Sequence, residues 1–156
     1  MKIKYLVVFA IVLLVLTSAC TLNNTKVIEN NPKPPNTRIL AGTTTPYIEF
    51  NKQDYQKALS ENKIILLYFY ANWCPLCKLE EPQTFAAFNE LNKTDFIGFR
   101  VNYKDSDTDE DEVELAKEFG VTYQHTKVII KNGQRVLKAP DSWDKDRYLE
   151  EIKKYA

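Results

Sequence analysis

From residue 47 onward, apolar and polar positions alternate in a way that spells out discrete elements. "YIEF" (47–50) is a short strand. In "NKQDYQKALSEN" (51–62) Tyr55, Ala58 and Leu59 recur at helical spacing. "KIILLYFY" (63–70) is an almost unbroken β-branched and aromatic run, which suits a central strand covered on both faces. "CPLCKLEEPQTFAAFNELN" (74–92) reads as a helix with Leu79, Phe85, Phe88 and Leu91 on its apolar side and a kink at Pro82. "FIGFRVNY" (96–103) is a third strand. "DEVELAKEFG" (111–120) is a helix closed by Gly120. "TKVIIKNGQRVLKA" (126–139) is a hairpin turning at Asn132-Gly133. "DSWDKDRYLEEIKKYA" (141–156) is a last amphipathic helix, with Asp141 or Ser142 as the expected N-cap. The order β-α-β-α-β-α-β-β-α requires crossover connections and ends in an antiparallel edge. The expectation is an α/β domain over residues 47–156, a central mixed sheet flanked by helices. Trp143 and the aromatics Tyr68, Phe69, Tyr70, Phe85 and Phe88 are expected in its core.

The first 46 residues follow other rules. Lys2 and Lys4 precede an apolar run from Tyr5 to Leu16, and Thr17-Ser18-Ala19-Cys20 follow. Charged, apolar and small-residue zones in that order read as a secretory signal. The run is short for a membrane span, which needs about 20 apolar residues. "LTSAC" resembles the lipobox of prokaryotic lipoproteins, although Thr17 stands where that family usually has Leu. The resemblance implies lipidation at Cys20 after cleavage. The alternatives are an uncleaved signal anchor and simple secretion. In the lipidated and anchored cases the domain lies at the extracytoplasmic face of the cell membrane. Residues 21–46, rich in Asn, Thr and Pro ("NNPKPPN"), show no apolar periodicity and are expected to be a linker, stiffened by its prolines.

Charge and rare residues narrow the chemistry. The 156 residues carry 21 basic and 21 acidic side chains, so no net field draws the chain to nucleic acid. Three cysteines and one histidine exclude a zinc site of two cysteine pairs. "NYKDSDTDEDEVE" (102–114) alternates Asp105, Asp107 and Asp109 as a calcium loop does. It lacks the required glycine and the Glu at position twelve, and reads as a solvated loop whose acids favour the next helix.

"ANWCPLCK" (71–78) holds the remaining chemistry. Cys74 falls where a buried strand ends and a helix begins, and Pro75 sits at the first helical position. A thiol at a helix N-terminus is expected to carry more thiolate. Cys77 lies one turn on, on the same face. An exposed attacking thiol and a resolving thiol would suit thiol–disulfide exchange. A Cys-x-x-Cys pair alone is equally half of a metal site.

The residues together resemble the thioredoxin-like superfamily. "IILLYFYANWCPLCK" is similar to the family's strand followed by Trp-Cys-x-x-Cys-Lys, Pro82 stands at the family's helix-kinking proline, and "FGVTYQHTKVIIKNGQ" is similar to the region of its last hairpin. The resemblance implies a redox-active disulfide between Cys74 and Cys77, with no cofactor. It implies a substrate groove formed by Trp73, Pro75, Gln124, His125 and Thr126, in which residues 124–126 pair with the substrate backbone. Implied partners are protein disulfides or dithiols and a membrane redox partner that recharges the pair. Cys20 is then taken by lipid, and no cysteine is left for a structural disulfide.

Four departures stand out. His125 occupies the family's cis-proline position, so it should lie near the sulfurs, and the peptide bond before it could be cis or trans. It could fill space, tune Cys74, or complete a Cys74–Cys77–His125 site for Zn or Cu(I), which makes metal binding or delivery the alternative function. Tyr68 stands where the family has a buried Asp that accepts the resolving thiol's proton, and Arg100 where it has the partnering lysine. The base for Cys77 must come from elsewhere, with Glu81, His125 and water as candidates. The inner Pro75-Leu76 does not reveal the direction of electron flow. The acidic loop is longer than the family's usual connection.

Overall fold

The computed structural model describes residues 37–156; the readings of residues 1–20 and of Cys20 lie outside the described residues. Six strands form one sheet: β1 (Ile39–Ala41), β2 (Tyr47–Glu49), β3 (Ile64–Tyr70), β4 (Phe96–Asn102), β5 (Thr126–Lys131) and β6 (Gln134–Ala139). Their spatial order is β1-β2-β4-β3-β5-β6. Strands β2, β4 and β3 are parallel, while β1, β5 and β6 pair antiparallel to their neighbours. Four helices complete the domain: α1 (Lys52–Ser60), α2 (Pro75–Glu90), α3 (Glu110–Glu118) and α4 (Lys145–Tyr155). This is the mixed sheet flanked by helices that the sequence pattern predicts.

Strand β3 organises the core. All seven of its residues are buried, and their alternation sends Ile64, Leu66, Tyr68 and Tyr70 to one face and Ile65, Leu67 and Phe69 to the other. The first face packs with Phe88 of α2 and with Tyr148 and Ile152 of α4. The second packs with Tyr55 and Ala58 of α1 and Leu115 and Ala116 of α3. Gly98 of β4 lets the first layer close: a Cβ there would come within 2.4 Å of the Phe88 ring and 2.7 Å of Tyr47. Asn132 and Gly133, at φ +52° and +70°, make the hairpin turn. Pro82 lies inside α2 without ending it.

Three expectations are corrected. The segment 21–46 is not linker throughout, because β1 forms within it; Ile39 pairs with Ile48, although the edge leaves Ile39 exposed. Helix α4 starts later than expected. Its N-cap is Asp144, whose carboxylate accepts the Arg147 N–H at 2.8 Å, not Asp141 or Ser142. The buried stripe of α2 is Cys77, Glu80, Thr84, Ala87 and Phe88, which leaves Leu79 73% exposed. The end of the acidic loop favours the next helix, as read. Asp109 and Glu112 form a reciprocal capping box at the start of α3.

Candidate active site

Helix α2 begins at the cysteines because the chain leaves β3 in an extended conformation and Pro75 supplies a preset first turn. Cys74 is the N-cap, with φ −79° and ψ 116°, and its sulfur accepts the Cys77 N–H at 3.3 Å. The helix end thus directs an N–H donor at this sulfur. Both cysteines are free thiols in the structure. Cys77 sits in the core, where burial, followed by its hydrogen bond with Cys74, pushes its thiol up to about 11. The Tyr68 hydroxyl acts in the opposite sense. Cys74 departs from the exposed attacking thiol expected. It is 3% exposed, because the capping bond and the tie from its own N–H to the Ala71 carbonyl, 3.0 Å, turn it inward. Attack on a partner's disulfide therefore needs a side-chain rotation or close entry by that disulfide.

The long acidic loop braces this turn. Asp105 accepts the Asn72 N–H at 2.8 Å, Ser106 accepts from the Asn72 amide at 2.9 Å, and the Lys104 carbonyl accepts the Trp73 indole N–H at 3.0 Å. Trp73 is held by one edge and is half exposed, beside the exposed Pro75 and Leu76.

His125 lies beside the sulfurs, as the resemblance implied. No peptide bond among the described residues is cis, so the bond before His125 is trans, and the residue takes φ +70°. That is an unusual conformation for a residue with a Cβ. It is locked by the His125 N–H bonded to the Phe69 carbonyl at 2.6 Å. This N–H is therefore not available to pair with a substrate. Gln124 is half buried, and Thr126 is buried with its hydroxyl donating to the Tyr123 carbonyl at 3.0 Å. The expected groove residues thus differ: Trp73 and Pro75 expose their side chains, whereas the Thr126 side chain is buried.

Imidazole Nδ1 faces the Cys77 sulfur at 4.0 Å and the Tyr68 hydroxyl at 3.3 Å; Nε2 lies 2.7 Å from the Ser142 hydroxyl and 3.0 Å from Glu80 Oε2. Burial, reinforced by the Lys127 charge, lowers His125 to about 4, so the ring is neutral near pH 7. Among the described residues no group of three His, Cys, Asp or Glu side chains is placed to hold a metal ion.

The least expected feature lies directly behind His125. Glu80 and Lys127 form a buried ion pair at 2.6 Å, with side chains 2% and 0% exposed. Lys127 also donates to the Asp141 carbonyl at 2.6 Å and lies over the rings of Tyr68 and Trp143, and the Tyr148 hydroxyl donates to Glu80 Oε1 at 2.6 Å. Burial raises the Glu80 carboxyl and lowers the Lys127 ammonium, each partly offset by the other. Sequence reading missed this pair. The available signals were a Glu three residues past Cys77 on the same helical face and a Lys directly before the apolar run 128–130 of a predicted strand. Glu81, the carboxylate considered for Cys77, is instead engaged by Arg100 at 2.7 Å, and Arg100 also binds Glu49.

The comparisons with known proteins agree with this geometry. The sequence pattern of the Thioredoxin family matches residues 46–154, which include Cys74, Cys77 and the elements from β2 to all but the last residue of α4. The chain belongs to the thioredoxin family. It is 41% identical over 83 residues to Thioredoxin H4 of Arabidopsis thaliana, covering 53% of this chain and 63% of that protein. It is 30% identical over 108 residues to the probable protein disulfide-isomerase A4 of Caenorhabditis elegans, covering 69% of this chain and 16% of that one. The crystal structure of the thioredoxin NaTrxh from Nicotiana alata superimposes with a TM-score of 0.54 at 27% identity, over 74% of this chain and 96% of that one. The chain spans between about half and two thirds of the length of the curated thioredoxins it matches. Among the described residues of this thioredoxin domain, no helix is long and apolar enough to cross a membrane.

Proposed function

We propose that this thioredoxin domain is a thiol–disulfide oxidoreductase acting on protein disulfides, held at the extracytoplasmic face of a membrane by its N-terminal segment. The observation that carries the reading is Cys74 as N-cap of α2, its sulfur accepting the N–H of Cys77 one turn on, within the stretch that matches the family. In the reducing direction, the Cys74 thiolate attacks a substrate disulfide. A Cys74–substrate S–S bond forms, the substrate's S–S bond breaks, and one substrate thiolate leaves. Cys77 then loses its proton and attacks the Cys74 sulfur. The Cys74–Cys77 bond forms and the second substrate sulfur departs as a thiol. Two electrons have passed to the substrate, and a dithiol partner returns them; the oxidising direction is the same sequence reversed. Trp73 and Pro75 offer the apolar contact surface, with Gln124, His125 and Thr126 beside it.

The tether rests on residues 2–20, with lysines, an apolar run and Cys20 in the order of an export signal. A membrane redox partner suits that location. The direct test is reduction of insulin by the full chain with dithiothreitol as electron source. Activity lost in Cys74→Ser, and an insulin mixed disulfide trapped by Cys77→Ser, would support the reading. Equal turnover in Cys74→Ser would refute it. For the tether, mass spectrometry of membrane-extracted protein should show a lipidated chain beginning at Cys20; an unmodified soluble chain would refute it.

A further inference from the structure

Resolution by Cys77 needs somewhere for its proton to go. The thiol is buried, and the strand position that the family resemblance assigns to a carboxylate holds Tyr68, a phenol that burial keeps un-ionised. Yet a carboxylate lies within reach from another element. Glu80 projects from α2 on the Cys77 face. Its Oε1 is held by Lys127 and Tyr148, while its Oε2 is buried and forms no well-directed hydrogen bond. That free oxygen lies 3.0 Å from His125 Nε2, although Nε2 is better aligned with the Ser142 hydroxyl. The imidazole's other nitrogen faces Cys77. The imidazole therefore lies between the Cys77 sulfur and the Glu80 carboxylate, within 4.0 Å of one and 3.0 Å of the other, and the neutral ring can accept at Nδ1 while giving at Nε2.

We propose that Glu80 is the proton acceptor for the resolving cysteine, reached through His125. The inference rests on the oxidoreductase reading above. When Cys77 attacks, its S–H proton passes to His125 Nδ1 and the Nε2 proton passes to Glu80 Oε2. The ring stays neutral throughout, and the carboxylate becomes a carboxylic acid. The Cys77 sulfur, now a thiolate, forms the bond to Cys74 and displaces the substrate sulfur. Reset reverses the two hops: Glu80 returns its proton to Nε2, and the Nδ1 proton goes to the departing substrate thiolate. The net transfer is one proton from Cys77 to the leaving thiol. His125 faces the sulfur; Glu80 acts through it and is a positioning residue, as is Lys127. The groups facing this line are Tyr68 of β3, Tyr47 of β2, Cys74 at the N-cap of α2, Lys127 of β5, Asp141 and the Trp143 backbone before α4, and Tyr148 of α4. Lys127 disfavours a charged ring, Asp141 favours one, and burial raises Glu80 towards protonation, so a neutral ring and a receptive carboxylate coexist.

The test uses the full chain in a Cys20→Ser background and 5,5′-dithiobis(2-nitrobenzoate) as the disulfide. Attack by Cys74 releases one thionitrobenzoate, and resolution by Cys77 releases the second. Because Glu80→Gln alone leaves Lys127 buried without its partner, Glu80→Gln/Lys127→Met is made beside it, and His125→Asn tests the ring in a residue that tolerates positive φ. The expected result is a second release about a hundredfold or more slower than the parent's at pH 7 in all three variants, the scale of a lost acid–base group, with the first release unchanged in the two Glu80 variants. In the variants the second rate should climb with pH as hydroxide takes over the proton, whereas the parent is flatter. A double variant that melts like the parent and keeps the parent's second rate and pH profile would overturn the relay while leaving the oxidoreductase reading intact. A parent that releases only one equivalent would overturn that reading itself, and the relay with it.

Discussion

Lys127→Met removes the cation from a carboxylate that is 2% exposed. A buried ion pair broken on one side costs about 3–5 kcal/mol, because the remaining charge has lost its compensation. For a domain of this size that is a fall in melting temperature of roughly 12–20 °C, at about 4 °C per kcal/mol. The loss should depend on pH, and the sign follows from proton binding. Burial already raises the Glu80 carboxyl above its ordinary value, and losing Lys127 raises it further. Above the unfolded value of about 4.3 the unfolded state sheds a proton that folded Glu80 keeps, so the variant loses stability as pH rises, until Glu80 ionises in the fold. His125 moves in the same sense, because Lys127 helps keep it neutral in the parent. The deficit against the parent should therefore be small near pH 5 and full at pH 8. Glu80→Leu/Lys127→Met, which removes both charges, should recover most of it. Urea titrations of the three proteins at the two pH values measure this. A Lys127→Met loss below about 1 kcal/mol at pH 8, or an equal loss at both pH values, would refute the buried-pair reasoning.

Four further outcomes are expected. The parent should lose stability as pH falls from about 6.5 towards 4, because unfolded His125 protonates first and the folded ring only at about 4; the shift corresponds to on the order of 3 kcal/mol, and His125→Asn should flatten that limb in urea titrations. Asp109→Ala removes the α3 cap and should cost about 1 kcal/mol without altering thiol reactivity, whereas Asp105→Ala frees the Asn72 N–H and should shift Trp73 fluorescence and the thiol exchange rate. Gly98→Ala drives a methyl into Phe88 and Tyr47 and should cost about 1–3 kcal/mol by thermal melting.

Elements whose boundaries are set by local chemistry were legible in the sequence. The apolar run of β3, the Asn132-Gly133 turn, Pro75 at the start of α2 and Gly120 after α3 each act through their own backbone preferences. What escaped depends on tertiary partners. Strand β1 forms from an unpromising segment because β2 offers it a free edge. The α2 stripe includes Glu80 in place of Leu79 because Lys127, from a distant strand, makes a buried carboxylate tolerable. Reading helix and strand separately, each charge looks misplaced; only the sheet register, which puts Lys127 opposite Tyr68 beneath His125, explains both. Similarly, His125 was legible as a neighbour of the sulfurs, but its positive φ and its committed N–H come from the bond to Phe69.

The central claim is that Cys74 and Cys77 are one reversible redox couple. The most direct measurement equilibrates the full chain in thiol–disulfide buffers of graded potential, traps thiols with an alkylating agent and weighs the protein. The expected result is a single two-electron transition between the dithiol and the Cys74–Cys77 disulfide, steep at about 30 mV per decade and lying within the family's span of roughly −270 to −120 mV. Cysteines that stay alkylatable across that whole range, or an oxidised species linking anything other than Cys74 to Cys77, would contradict it.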